Sequence, residues 1–252
     1  MLRQFTFPFR YMRKAWNRYF HLRKQRQQDK NMLRFYSQFI KPGDRCFDIG
    51  AHKGERTNVF LQLGAQVVAV EPQTQLATLL EKKYGTRPEF SIIKKGLSDS
   101  LGELPLYICE EATTVSTFSE KWKTGRFDRF EWNQTKMVPT TTLDQLVEEF
   151  GQPVFCKIDV EGFELKALQG LSRPLPCLSF EFTREFFDDA KLCVDYLTSL
   201  GYREFNCARG ASLQMLFTTS WPGPGDLLNT ISLIEDERLW GDIYARFQED
   251  EP

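Results

Sequence analysis

The sequence has two histidines in 252 residues, and its six cysteines, at 46, 109, 156, 177, 193 and 207, form no C-x-x-C pair. Zinc-finger spacings and the disulfide frameworks of small secreted domains are therefore excluded. Several of these cysteines lie in apolar runs, where they read as small buried hydrophobes of a reducing compartment. No apolar run approaches the ~20 residues of a membrane-spanning helix. The N-terminal segment also lacks the continuous apolar stretch of a secretory signal, so a cytoplasmic protein is expected. Internal repeats and low-complexity tracts are missing. What is present is an ordinary globular composition, 41% hydrophobic and 27% charged, sufficient for one α/β domain with an appendage or for two small domains.

Net charge is −1, but its distribution is uneven. Residues 1–30 carry nine Lys or Arg and one acid, Asp29, leaving 24 bases against 33 acids in the rest. Within this basic arm, assigned to residues 1–40, Met12, Trp16, Tyr19 and Phe20 follow helical spacing, and Arg10, Lys14 and Arg18 form a separate row. Such a helix packs on the body with a solvated basic face, or contacts an anionic membrane surface or an acidic partner. Nucleic acid is not expected, because the acidic body repels phosphates.

After the turn signal "KPGD" at 41–44, strands and helices alternate. "RCFDIGA", "AQVVAVEP" and "FSIIKKGLSD" read as strands, separated by the helices "GERTNVFLQL", stopped by Gly64, and "QTQLATLLEKKY", with Leu76, Leu79 and Leu80 on one face. This grammar implies right-handed crossovers and a mostly parallel sheet with helices on both faces. "GELPLYIC" reads as a short edge strand. Residues 111–138 are irregular and form either a surface loop or a lid over an acceptor. "TTLDQLVEEFG" restarts a helix with Thr142 and Gln145 as a capping box. "PVFCKIDVEGFELKALQG" and "CLSFEF" continue the pattern, and "REFNCA" with "LQMLFTT" is expected as a final antiparallel hairpin at the sheet edge. The domain is assigned to 41–220, with 221–252 as a C-terminal extension.

The turn "CFDIGAHKGE", residues 46–55, asks for a nucleotide. A dinucleotide site reads G-x-G-x-x-G and seats pyrophosphate on a helix N-terminus. Here the middle glycine is missing, and Asp48 stands two residues before Gly50, where it repels a phosphate. A ligand carrying an ammonium or sulfonium suits such a turn, and S-adenosylmethionine carries both. Glu71, 21 residues after Gly50, ends the second strand at the offset where an acid accepts hydrogen bonds from ribose hydroxyls. An NAD-dependent oxidoreductase and a non-catalytic scaffold on the same fold are the alternatives.

"KPGDRCFDIGAHKG", "VVAVEP" and especially "FCKIDVEGFELKALQG" resemble the FkbM family of S-adenosylmethionine-dependent methyltransferases, from about Lys41 to Gly170 and more weakly to about residue 205. The resemblance implies a Rossmann-like class I methyltransferase sheet with an antiparallel C-terminal edge strand, and O-methylation of a hydroxyl on a sugar, glycan or other natural product. It also implies that Asp48, Gly50, Ala51 and Gly54 cradle the amino-acid half of S-adenosylmethionine. Glu71 then holds the ribose, and Ser98 and Asp99 sit near the adenine. His52 falls at a variable position of the motif and is read as a loop residue.

In "KIDVEGFE", Asp159 ends a strand and Glu161 lies in the turn opening the next helix. Ligands of open α/β sheets bind beyond the carboxyl ends of the strands. Methyl transfer requires alignment of the acceptor oxygen and removal of its proton. Asp159 and Glu161 are therefore the catalytic candidates, with three roles open. One of them is the general base; or Glu161 complements a helix dipole and Asp159 accepts structural hydrogen bonds; or the two join Glu181 in holding a divalent metal. Lys157 is read as structural. Trp122, Phe127, Phe130 and Trp132 either stack on a sugar or pin their loop to the core, and Arg126 and Arg129 are available to an anionic group on the acceptor.

Overall fold

The computed structural model describes Arg23 and residues 27–248. The amphipathic row expected at residues 12–20 lies outside them. The described part of the arm is helix α1, through residues 27–36, whose Met32, Phe35 and Tyr36 are buried against the body.

Seven strands form the main sheet. β1 (Arg45–Ile49), β2 (Gln66–Val70), β3 (Phe90–Ile93), β7 (Phe155–Ile158) and β8 (Cys177–Thr183) are parallel, and the spatial order is β3-β2-β1-β7-β8-β10-β9. Their short, β-branched and aromatic sequences suit strands covered on both faces. Phe47, Ile49, Ile158 and Phe180 point into one core with α4 (Leu143–Phe150), α5 (Glu164–Leu168), α6 (Phe187–Ser199) and α7 (Pro224–Ser232). Cys46, Val67 and Phe155 point into the other, with α1, α2 (Glu55–Gln62) and α3 (Thr74–Tyr84). On α3 the buried residues are Leu76, Ala77, Leu80 and Tyr84, whereas Leu79 faces solvent. Gly64 adopts the left-handed conformation (φ 83°) after α2, as its sequence position suggests. All six cysteines are buried and unpaired.

The sheet edge is more elaborate than expected. β9 (Glu204–Arg209) meets 213–219 through one antiparallel bridge, Ala208 to Met215, and forms its longer ladder with β10 (Trp240–Arg246), which inserts antiparallel between β8 and β9. The antiparallel strand is thus one position in from the edge. Residues 221–248 supply α7 and an interior strand of the main sheet.

A smaller sheet, β4 (Gly96–Leu97), β6 (Gln134–Thr141) and β5 (Gly102–Ile108), hangs from the main one. Its β5–β6 connection, residues 109–133, contains only 3₁₀ turns and a bridge, Tyr107 to Thr117. The strand β6 takes over the last residues of the irregular stretch expected to run to 138. Thr142 caps α4, its Oγ1 accepting from the Gln145 N–H at 3.1 Å; the Gln145 side chain reaches Glu148 instead, so the box is half formed. The strand order reverses between β1 and β7, and the crevice beyond their carboxyl ends is where an open sheet of this kind binds ligands.

Candidate active site

A cavity of about 350 Å³ fills that crevice, within the size range of small-ligand sites. Asp48, Gly50, Ala51, Glu71, Asp159 and Glu161 line it; Gly54 does not. Asp48 sits on β1 opposite Lys157 of β7, is 2% exposed, and accepts a 2.5 Å hydrogen bond from Thr57 Oγ1. Burial raises its pKa, against the opposing pull of the Thr57 bond. The two glycines are demanded by packing. At Gly50 (φ 77°) a Cβ would fall 1.8 Å from the Asp159 carbonyl oxygen, and at Gly54 (φ 78°) it would fall 2.5 Å from Leu80 Cδ2.

Glu71, 2% exposed, follows β2. Its Oε2 accepts the His52 N–H and its Oε1 the Gln73 N–H, both at 2.8 Å. Burial lifts it to about 7 in spite of those two bonds. Held from both sides, the carboxylate keeps a fixed orientation at the cavity wall and has lone pairs to spare.

The second acidic element is the turn after β7. Glu161 (φ 53°) and Gly162 (φ 84°) both take the left-handed conformation, which folds the chain back over the end of the strand. Burial, then the neighbouring carboxylates of Glu181 and Asp159, push Glu161 well above the ordinary carboxylate range. Glu181, on β8, is raised for the same reasons. One carboxylate oxygen from each of Asp159, Glu161 and Glu181 lies within 4.8 Å of the others. Glu164, the acid in the first turn of α5, braces the turn before it, its Oε1 accepting from Val160 N–H (3.1 Å) and Gly162 N–H (3.3 Å).

Lys157 lines the cavity from beneath the acidic turn. Its side chain is 1% exposed, and its Nζ lies 2.9 Å from Asp242 Oδ1 on β10 and 3.2 Å from Asp159 Oδ2. Burial alone would lower the ammonium's pKa, but the Asp159 and Asp242 carboxylates overcome that and keep it charged. Arg56 of α2 also lines the cavity, and its Nε donates to Tyr36 Oη at 3.2 Å, tying the wall to α1. His52 likewise faces the cavity, with Nε2 2.9 Å from Thr113 Oγ1.

The β5–β6 connection closes over these elements. Thr117 Oγ1 donates to the Glu161 carbonyl at 2.6 Å, and Gln73 Nε2 donates to the Thr113 carbonyl at 3.0 Å. Trp122 stacks on Phe127 (4.4 Å between centroids) and leans on Phe186 (5.1 Å). Lys121 pairs with Asp189 and Arg126 with Glu185, while Arg129 lies over the Phe130 ring. The Trp122–Phe127 pair and its ion pairs therefore pin the loop.

Ser98 and Asp99 do not line the cavity. Residues 96–97 pair with β6, and Ser98 N–H continues that pairing by donating to the Thr141 carbonyl at 2.9 Å. This turns Asp99 outward to Lys166, 2.6 Å away.

A sequence model of the methyltransferase FkbM domain matches residues 48–204. The hexuronic acid methyltransferase AglP of Haloferax volcanii is 26% identical over 155 residues, which span 60% of this chain and about 60% of that protein's own length. Among solved structures, a precorrin-6y C5,15-methyltransferase from Geobacter metallireducens aligns over 88% of each chain with 12% identity and a TM-score of 0.45. An O-methyltransferase from Thermotoga maritima aligns over 88% of this chain and 67% of its own, with 11% identity and a TM-score of 0.41. Matched through both the Asp48 turn and the Asp159–Glu161 turn, the chain belongs to the methyltransferase FkbM family.

Proposed function

We propose that the protein transfers a methyl group from S-adenosylmethionine to a hydroxyl of a sugar, glycan or other small acceptor. The observation that carries this reading is the donor set of the 350 Å³ cavity: Asp48, Glu71, Asp159 and Glu161 face a space large enough for a nucleoside. Four carboxyl groups repel a pyrophosphate, which disfavours a dinucleotide, and suit a ligand with a sulfonium and an ammonium. The family membership and the methyltransferase relative support the same choice.

In this reading Glu71 accepts hydrogen bonds from the ribose hydroxyls, while Asp48 and the backbone of Gly50 and Ala51 bound the amino-acid half. S-adenosylmethionine supplies a methyl on a sulfonium, already an activated leaving group. What the chain itself must do is align the acceptor oxygen and take its proton. Glu161, which burial and the neighbouring Glu181 and Asp159 carboxylates make a stronger base than an ordinary carboxylate, accepts that proton. Asp159, fixed by Lys157 at 3.2 Å, orients the acceptor and balances the developing charge. The same carboxylates with Glu181 also have the spacing to hold a divalent cation, which would acidify the hydroxyl directly.

Calorimetric titration of S-adenosylhomocysteine tests the reading. Wild type should bind and Glu71→Ala should lose roughly tenfold or more, the worth of hydrogen bonds to a charged group. Equal binding by both proteins, or binding by neither, overturns it.

A further inference from the structure

S-adenosylmethionine ends in a zwitterion. Its ammonium suits the acids of the cavity, but those same acids repel its carboxylate. A cation with unused hydrogen-bond donors is needed beside them, and Lys53, Arg56 and Lys157 line the cavity. An ammonium has three donors, and those of Lys157 are taken by Asp242 Oδ1 at 2.9 Å and by Asp159 Oδ2 and the Ile158 carbonyl, both at 3.2 Å. Lys53 stands exposed at the rim on a flexible stem.

Arg56 is held differently. Its Nε donates to Tyr36 Oη at 3.2 Å and its Nη1 to Met32 Sδ at 3.7 Å, both from α1. Tyr36 and Met32 are buried, so this anchor belongs to the core. The nearest carboxylate to the guanidinium among the described residues is Glu55, a loose partner at 3.7 Å whose own side chain is exposed. A guanidinium carries five N–H donors in a rigid fork, and Nη2 has no partner among the described residues. The Arg56 side chain is 27% exposed. Its charge reaches two acids of the cavity. It draws down the pKa of Asp48 against the larger effect of burial, while Tyr36, Asp242 and Asp159 hold the guanidinium charged although burial opposes it.

We propose that Arg56 is the carboxylate clamp of the donor site, gripping the amino-acid carboxylate of S-adenosylmethionine, and that Tyr36 is the positioning residue that aims it. This rests on the methyltransferase reading above. It leaves the donor's ammonium to the acids and makes α1 part of the donor site, because that helix anchors the cation. Arg56 also stands in the first turn of α2, where Gly54 contributes no side-chain cap and the helix dipole adds to the attraction for an anion.

The test is calorimetric titration of the full chain with two probes. One is S-adenosylhomocysteine; the other is its decarboxylated analogue, 5′-deoxy-5′-(3-aminopropylthio)adenosine, which keeps the ammonium and lacks the carboxylate. Wild type should bind the first more tightly by roughly 10- to 100-fold, the range for a hydrogen bond between charged groups. Arg56→Gln should abolish that advantage, with the analogue's affinity level or higher, since a cation near its ammonium is gone. Arg56→Lys keeps the charge without the fork and should fall between. Tyr36→Phe keeps the buried ring, should weaken S-adenosylhomocysteine selectively, and serves as the second variant should Arg56→Gln not fold.

Equal loss of both probes in Arg56→Gln would make the residue structural and overturn the clamp. So would equal binding of the two probes by wild type, or a loss seen in Lys53→Gln and not in Arg56→Gln. Unaltered S-adenosylhomocysteine affinity in Tyr36→Phe overturns the positioning role of α1. Wild type that binds neither probe overturns the methyltransferase reading itself.

Discussion

The carbonyl oxygen of Asp159 stands 1.8 Å from where a Cβ on residue 50 would be. The glycine of the first motif and the aspartate of the second are thus one packing unit, 109 positions apart in the chain. Gly50→Ala should cost about 2–6 kcal/mol, from overpacking plus a left-handed backbone. Chemical denaturation checks this, and an unaltered midpoint would refute the contact.

Glu164 sets a pH dependence of stability. Burial raises it to about 7 in the fold, against an ordinary value of 4.5. Between those values the folded protein binds a proton that the unfolded chain has released, so stability is full below about pH 4.5 and falls as pH rises through about 7. Glu164→Gln keeps the oxygen that accepts from Val160 and Gly162 and removes the titration. Melting curves from pH 4.5 to 8 should therefore be flatter for the variant, with the variant equal or superior at pH 8. A parallel pair of curves would contradict the assignment.

Lys157 and Asp242 test the reach of β10. Asp242→Ala leaves a buried ammonium with Asp159 as its remaining carboxylate at contact distance. Breaking a buried pair this way costs about 3–5 kcal/mol, and donor binding should weaken along with stability as Asp159 is drawn toward the ammonium. Urea unfolding and calorimetry measure the two effects, and a loss below about 1 kcal/mol would show the pair to be dispensable.

Turnover should fall as pH drops, because Glu161 accepts a proton only when ionised, and its midpoint should lie above the ordinary 4.5. Glu161→Gln should remove that limb together with most of kcat. Turnover in EDTA should match that in its absence. Loss in EDTA with rescue by magnesium would instead assign Asp159, Glu161 and Glu181 to a metal.

Much of this site is legible in sequence because its parts are local. Asp48, Gly50 and Glu71 sit at strand ends marked by short apolar runs, and the turn chemistry around them needs no distant partner. Other parts are set by pairing between remote segments. "LQMLFTT" reads as a strand and keeps a single bridge to β9, whose long ladder is with 240–246, an assignment fixed by sheet order rather than by local pattern. Lys157 gains its place from Asp242, 85 positions away. Ser98 and Asp99 lie outside the cavity lining because β4 leads the chain into the small sheet, a bend two residues long that leaves no periodic signal. His52 reads as a variable loop residue, but its backbone N–H holds Glu71 and its ring meets Thr113 across 61 positions.

The insertion of β10 between β8 and β9 has a consequence for biosynthesis. A ribosome delivers β9 some thirty residues before the strand that must separate it from β8. Until then Asp242 is not in place, and Lys157 has lost one of its two compensating carboxylates. The nascent chain can assemble the parallel half of the sheet and the rim of the cavity, but the buried charge pairing beneath the acidic turn closes only after residue 242 has emerged. The acidic turn therefore reaches its final charge balance only late in synthesis of the chain.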